Sequence, residues 1–390
     1  MSKIRKIYLD LCMCSVFRSV LDNPLLLHLA DYARETDPDK KIRAYAAMIS
    51  EVYSVGGSLS EAVRRIVFED ENVYIRLRAG KKEIPERLSQ AAERELSVLS
   101  ELAGLTPEDF GADMKLDYVS PFISEKCNLA EEYEERVRNI DRHGYGIFAS
   151  HPMFRLDDLG TLSPIVSADK TTPDGFIGYE DERRAVMDNT RALISGRPAL
   201  NLLLCGDAGT GKSSTVKAAV NYFYNSGLRL IELRKDQLSF LPYVMGRISE
   251  NPLKFIIFID DLSFNKNDDN FSMLKAALEG SASAKADNAV IYATSNRRHI
   301  VRETFDEREG SDVHRGDTMQ EKLSLSDRFG LVVLFQKPNK KLYLEIVREL
   351  AKRYGIDADP VLLDMKAEEF ALRRGNRSPR CAEQFIKTLL

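Results

Sequence analysis

The chain has 390 residues, with 56 basic and 60 acidic side chains and a net charge of −4 at pH 7. This length is enough for two or three domains, and the near balance of charge gives no general attraction to nucleic acid or to an anionic membrane. The five cysteines form no C-x-x-C pair, which argues against a zinc site and favours a reduced, cytoplasmic protein. No run of 18 uncharged apolar residues occurs, so we expect no transmembrane helix.

The first 165 residues are predicted to form a helical region. Asn23 followed by Pro24, and Thr106 followed by Pro107, are typical of capped helix starts. An apolar stripe recurs at helical spacing at Leu88, Ala92, Leu96, Leu99 and Leu102. Because no motif here carries recognisable chemistry, we expect a helical domain at 1–165 that binds a partner or regulates the rest of the chain.

A turn-rich linker at about 163–175 is predicted to lead into an α/β domain. After an expected helix from about Phe176 to Ile194, short β-rich runs alternate with helical stretches, which is the pattern of a parallel sheet. The predicted strands are 200–205, 228–233, 255–259, 289–294 and 331–335. The residues from Lys337 onward predict a small helical domain with an excess of basic side chains. We therefore expect two further domains, at 166–336 and 337–390.

Residues 206–213 fit the phosphate-loop pattern G-x-x-x-x-G-K-[ST] between a predicted strand and a predicted helix. Glycines let the backbone wrap around a triphosphate, and they point successive N–H groups at its oxygens beside a positive helix end. Lys212 is expected to reach the β- and γ-phosphates, and Ser213 to ligate Mg²⁺. The predicted nucleotide-binding residues are Gly206, Asp207, Ala208, Gly209, Thr210, Gly211, Lys212, Ser213 and Ser214. The alternative is a chance glycine-rich turn, which the flanking strand and helix disfavour.

A second buried strand, 255–259, ends in the two carboxylates Asp260 and Asp261. In a phosphate-loop ATPase the first acid at such a strand end orders Mg²⁺, which makes Asp260 the predicted metal residue. Asp261 is placed to polarise the attacking water, so we predict a catalytic role for it. An ordinary Asp-rich turn is the alternative interpretation.

The motifs together resemble those of AAA+ ATPases in order and spacing. The phosphate loop and the Asp-Asp strand are followed by segments that contain Asn296, Arg328 and Arg380. From about Thr172 to Leu390 the sequence is similar to a bacterial AAA+ ATPase family of unknown function whose members carry a helical N-terminal region. A more distant similarity extends to replication initiators and helicase loaders.

The resemblance implies an αβα AAA+ core with a parallel sheet, a helical C-terminal lid and a mostly helical N-terminal domain. It implies that the strand before Asn296 lies between the phosphate-loop strand and the Asp-Asp strand, and that Asn296 senses the γ-phosphate. Arg328 stands where a finger enters a neighbouring subunit's ATP site, which implies a homo-oligomer. Arg380, or alternatively Arg377, is expected to read the phosphates from the lid. The plainer alternatives are a capping asparagine, a surface ion pair at Arg328 and a solvated basic turn in the lid.

Three functions are compatible with these residues. The first is Mg²⁺-dependent ATP hydrolysis that remodels an unknown protein client. The second is a slow-turnover nucleotide switch, because Asp261 is one methylene shorter than the glutamate that many relatives carry there. The third is a DNA-directed, helicase-loader-like ATPase, which the similarity to initiators and loaders and the basic lid motivate. The stretches 297–299 and 302–322 would then form a pore-facing or partner-facing loop, and the alternative is a solvated loop of mixed charge.

Overall fold

A computed structural model describes residues 1–167, 169–262, 273–275, 278, 286–296 and 328–390. The chain divides into two compact units, Met1–Ser150 and His151–Leu390. Within the described residues, no helix combines the length and the apolar character needed to cross a membrane.

The unit Met1–Ser150 is helical, apart from turns, an irregular segment at 115–128 and an isolated bridge between Ser58 and Ile123. Its helices are α1 (Lys3–Cys12), α2 (Pro24–Arg34), α3 (Pro38–Ser54), α4 (Leu59–Glu69), α5 (Val73–Ala79), α6 (Glu86–Ala103), α7 (Pro107–Met114), α8 (Leu129–Arg138) and α9 (Ile140–His143). The two predicted helix starts are confirmed. Asn23 accepts a hydrogen bond from the N–H of Leu25 at the start of α2, and Thr106 forms a reciprocal capping box with Asp109 at the start of α7.

The predicted apolar stripe lies on α6 and faces the core of this unit. Leu99 and Leu102 are fully buried, and Leu88 packs partly buried against the same core. A carboxylate also occupies this face. Glu95 is 6% exposed, and it accepts hydrogen bonds from the backbone N–H groups of residues 15–17. Burial of that carboxylate is tolerated because backbone donors satisfy it.

The unit His151–Leu390 contains a seven-stranded sheet in the described part of the chain. Its strands are β1 (Met153–Leu156), β2 (Leu162–Pro164), β3 (Leu202–Gly206), β4 (Leu228–Leu233), β5 (Lys254–Ile259), β6 (Ala289–Ser295) and β7 (Leu331–Phe335). Its helices are α10 (Glu180–Ile194), α11 (Lys212–Phe223), α12 (Leu241–Ile248), α13 (Lys340–Arg353), α14 (Pro360–Arg374) and α15 (Pro379–Lys387). The five strands that the sequence predicted match β3–β7 to within two residues at each end.

The sheet order is β2-β1-β4-β5-β6-β3-β7, and all neighbouring pairs except β1–β2 are parallel. β6 pairs with β3 on one side and with β5 on the other, as the AAA+ resemblance implied. Successive residues of β3 and β5 are buried on both faces of the sheet, so these strands read as continuous apolar runs. The predicted α/β class, with a mostly parallel sheet after a mostly helical N-terminal unit, is confirmed.

The first two strands of the sheet differ from the sequence-based expectation. β1 and β2 lie within the range 1–165 that was expected to be helical, and β1 pairs in parallel with β4. These strands span four and three residues, too few to show a strand period in the sequence. The compact units divide between Ser150 and His151, whereas the sequence placed its boundary after residue 165.

Candidate nucleotide-binding site

The phosphate-loop residues lie between β3 and α11. Gly206 has a φ of +139°, and a Cβ there would lie 1.9 Å from the carbonyl oxygen of Phe335, so a larger residue would collide with β7. Asp207 and Ala208 lie in the exposed turn that follows, where Asp207 accepts a hydrogen bond from the N–H of Lys337 at 3.2 Å. Because α11 begins at Lys212, the free N–H groups of its first turn face this loop. The segment therefore offers a positive helix end to an anion.

Lys212 is buried at the centre of this segment, with 5% of its surface exposed. Its ammonium donates to the carbonyl oxygens of Gly206 at 2.9 Å and Asp207 at 2.8 Å, and to Oδ1 of Asn296 at 3.0 Å. Burial lowers the pKa of Lys212, and neighbouring acidic groups, with Asp207 foremost, oppose that shift. Three oxygens thus hold one buried cation in a fixed position.

A cluster of oxygen atoms follows at the end of β5. Oδ1 of Asp260 accepts hydrogen bonds from Oγ of Ser213 at 2.6 Å and from Oγ1 of Thr294 at 2.5 Å. Carboxylate and hydroxyl oxygens are hard ligands, which are the kind that Mg²⁺ prefers. The predicted pair of metal residues, Ser213 and Asp260, is therefore in direct contact.

Asp261 has a left-handed backbone conformation with a φ of +52°, which is uncommon for a residue other than glycine. Its N–H donates to Oγ1 of Thr294 at 2.9 Å, and its Oδ1 accepts from Nδ2 of Asn296 at 2.7 Å. Hydrogen bonds thus connect Lys212, Asn296 and Asp261 in one chain. The sequence placed these three residues on different elements, and the parallel sheet brings their strand ends together.

A cavity of about 720 Å³ adjoins the phosphate loop. Its wall on the loop side contains Gly209, Thr210, Gly211 and Ser214, together with Arg380 from the first turn of α15. The backbone N–H of Arg380 donates to the carbonyl oxygen of Gly209 at 3.3 Å. The rest of the wall comes from the segment before α10 and from helices α10, α13 and α15; its residues are Asp169, Lys170, Thr171, Thr172, Gly175, Phe176, Ile177, Arg183, Ile346, Leu350, Arg353, Tyr354, Pro379 and Glu383. This volume is in the range of small-molecule sites.

The sequence profile of a family described as "Protein of unknown function (DUF815)" matches residues 149–390, which is more than half of the chain. The chain belongs to the DUF815 family. Comparison with curated proteins gave no match.

Among solved structures, the DUF815 chain is similar to RuvB from Thermotoga maritima. One RuvB variant is 17% identical with a TM-score of 0.39, and the match covers 56% of this chain and 64% of that one. The RuvB Holliday junction branch migration motor is 13% identical with a TM-score of 0.35, and the match covers 57% of this chain and 72% of that one. The DUF815 chain thus spans less than two thirds of the length of the first of these structures.

Arg328 lies apart from the other predicted site residues. It precedes the start of β7, and β7 runs parallel to β3 from the pair Leu331–Leu202 to the pair Phe335–Gly206. Because a parallel strand rises about 3.3 Å per residue, the length of β7 alone separates Arg328 from the phosphate-loop end of the sheet by about 13 Å. The charged stretches 297–299 and 302–322, which were considered as a pore-facing or partner-facing loop, lie outside the described residues.

The two arginines proposed for the C-terminal helices have different surroundings in this DUF815 protein. Arg377 donates from Nε and Nη2 to the carboxylate of Glu368, with both distances 2.9 Å. Arg380 is exposed and lines the cavity beside Gly209. Of these two arginines, only Arg380 therefore lies beside the phosphate loop.

Sequence reasoning missed two parts of the site. Thr294 bonds to both Asp260 and Asp261, yet its interior strand position gave no signal of its own. The segment 169–175 was interpreted as part of a linker, but most of its residues line the cavity. Their turn-forming composition is common to loops of every kind, so only the tertiary structure reveals their place.

Proposed function

We propose that this protein binds ATP with Mg²⁺ and hydrolyses it, and that hydrolysis drives conformational remodelling of a protein client. The observation that carries the proposal is the buried ammonium of Lys212, held at a helix N-terminus and bonded to Asn296, which in turn bonds to Asp261. A buried cation beside free N–H groups is suited to an anion of several charges. The carboxylate of Asp261, at the other end of this series of hydrogen bonds, is suited to orienting a water molecule.

The phosphates are proposed to lie against residues 206–214, with Lys212 donating to the β- and γ-phosphate oxygens. Ser213 and Asp260 would hold Mg²⁺, because their contacting oxygens are hard donors already within 2.6 Å of each other. The ion, when bound, would neutralise the negative charge that builds on the transferring phosphoryl group. Asp261 would orient the attacking water, and Asn296 would hold that carboxylate and sense the γ-phosphate.

The cavity of about 720 Å³ is proposed to take the nucleoside, since it shares Gly209–Gly211 with the phosphate loop. Arg380 is proposed to read the phosphates from a helical lid at 337–390. Arg328 is proposed to complete the site of a neighbouring subunit, which would make the protein a homo-oligomer. Its distance from its own phosphate loop supports that role, because an arginine finger must lie close to the γ-phosphate it stabilises.

Titration calorimetry with ATP and Mg²⁺ tests the proposal. We expect the wild-type protein to bind, and Lys212→Met to bind about 10-fold or more weakly, because a charge-assisted hydrogen bond is lost. Lys217→Met is the matched control, since Lys217 lies on the same helix and pairs with Glu232 at 3.4 Å. It should bind ATP like the wild type. Absence of any binding heat from wild-type protein would refute the proposed function.

A slow-turnover switch is the second candidate, and the geometry of Asp261 favours it. Its side chain is short, and Asn296 already occupies one carboxylate oxygen at 2.7 Å. Phosphate release from purified protein separates the two candidates. Turnover well above about one per minute, compared with the rates of intrinsic phosphoryl-transfer switches, would exclude the switch.

A further inference from the structure

Arg183 is a wall residue of the cavity and has an unusual environment. It lies in the first turn of α10, and its guanidinium carbon is 4.3 Å from the ring centroid of Phe176. A ring at that distance restricts the guanidinium through a cation–π contact. The side chain is therefore held in place beside the cavity.

The hydrogen bonding of Arg183 is incomplete. Its Nε–H is buried and has no hydrogen-bond partner among the described residues, and its Nη2 reaches the carbonyl oxygen of Ile177 only at 3.4 Å. Burial lowers the pKa of Arg183 to about 10, against the opposing charges of Glu180 and Glu182 on the same helix. A desolvated guanidinium with an unused donor is costly unless an acceptor is supplied.

The other arginine on this part of the wall is already engaged. Arg353 donates to the carbonyl oxygen of Gly175 and lies 3.8 Å from a carboxylate oxygen of Glu349. Arg183 is thus the better candidate to bind a ligand in this part of the cavity. Since the phosphates have the loop and Lys212 as their partners, the acceptor for Arg183 belongs to the remainder of the nucleotide.

We infer that Arg183 recognises the nucleoside, donating a hydrogen bond to an acceptor atom of the base or the ribose. This inference rests on the proposed function and adds a specificity residue to it. Arg183 makes the site favour a nucleoside triphosphate over a bare triphosphate, while Lys212 serves both.

The test compares ATP, CTP and inorganic tripolyphosphate, each with Mg²⁺, by titration calorimetry. Arg183→Met should weaken ATP binding about 10- to 100-fold, as expected for a hydrogen bond to a charged group. It should leave tripolyphosphate binding within about twofold of wild type. If the affinity for ATP falls and the affinity for CTP does not, the acceptor lies on the purine base. If both affinities fall equally, the acceptor lies on the ribose.

Two further variants control for folding. Arg184→Met is the matched control, because Arg184 is the next residue of α10, its side chain is 67% exposed and its partner is the exposed Asp181. It should bind all three ligands like wild type. Arg183→Lys keeps the charge and the apolar stem but lacks the Nε–H, so it should be folded and still bind ATP more weakly than wild type.

The outcomes separate this inference from the proposed function. Wild-type protein that binds neither ATP nor tripolyphosphate would refute the proposed function itself. Wild-type protein that binds ATP, with both Arg183 variants equal to it, would refute the role of Arg183 alone. An equal loss of ATP and tripolyphosphate affinity in the variants would also refute it, because the effect would then lie at the phosphates.

Discussion

Thr294→Val removes one hydroxyl group and retains the shape of a side chain that is 2% exposed. The hydroxyl donates to Asp260 at 2.5 Å and accepts from the N–H of Asp261 at 2.9 Å. It thereby holds the carboxylate of Asp260, proposed for Mg²⁺, and the backbone of Asp261, whose carboxylate is proposed for water. The variant tests whether those positions matter for turnover.

The expected loss of stability follows from the two hydrogen bonds. An N–H left without a partner costs about 1–3 kcal/mol, and a hydrogen bond to a charged group contributes about 1.5–3 kcal/mol. Water can replace part of the second term because Asp260 is exposed. We therefore expect the free energy of unfolding to fall by about 2–4 kcal/mol. Turnover should fall more steeply, by about 100-fold, if the water-orienting carboxylate moves by about 1 Å.

Denaturant unfolding and ATP turnover, measured on the same preparation, check both numbers. Thr190→Val is the matched control, because the hydroxyl of Thr190 is equally buried and bonds to Val186 and Tyr292 away from the site. It should lose stability and keep its turnover. If Thr294→Val is folded, binds ATP and turns over at the wild-type rate, the positioning argument is wrong.

Two other arginine substitutions test the roles proposed for these side chains in turnover and in reading the phosphates. In wild-type protein, turnover per subunit should rise with protein concentration, and Arg328→Ala should abolish that rise while ATP affinity stays near normal, because the finger serves a neighbouring site. A kinetic titration in which the variant keeps the wild-type concentration dependence would contradict this. Arg380→Met should reduce the preference for ATP over ADP by about 10-fold, as for one charged hydrogen bond, measured by competition binding. Arg377→Met is its control, since that side chain is engaged by Glu368 and its loss should lower stability without changing the preference. If wild-type protein, Arg380→Met and Arg377→Met all show the same preference for ATP over ADP, Arg380 is not a lid sensor.

Local sequence was sufficient to predict the strands β3–β7 and the phosphate loop. β3 and β5 are buried on both faces, so each appears as a nearly continuous apolar run with recognisable ends. The loop was identifiable because its pattern requires glycine at fixed positions, and Gly206, Gly209 and Gly211 all have a positive φ. Such constraints act within a few residues of the chain, which is why they can be recognised in the amino-acid sequence.

Contacts between distant segments were decided by the tertiary structure alone. The sequence placed Lys212 and Asn296 near the same phosphate but did not show that they bond to each other across 84 residues, and it left Arg377 as an alternative to Arg380. Nor could it show that Arg183 faces a cavity with a donor unused, because burial and hydrogen bonding depend on every element packed around a side chain. The sequence alone determined which chemical groups are present and which segments carry them. Their meeting at one edge of the sheet followed only from the order in which the parallel strands pack, since that order brings the strand ends together in space.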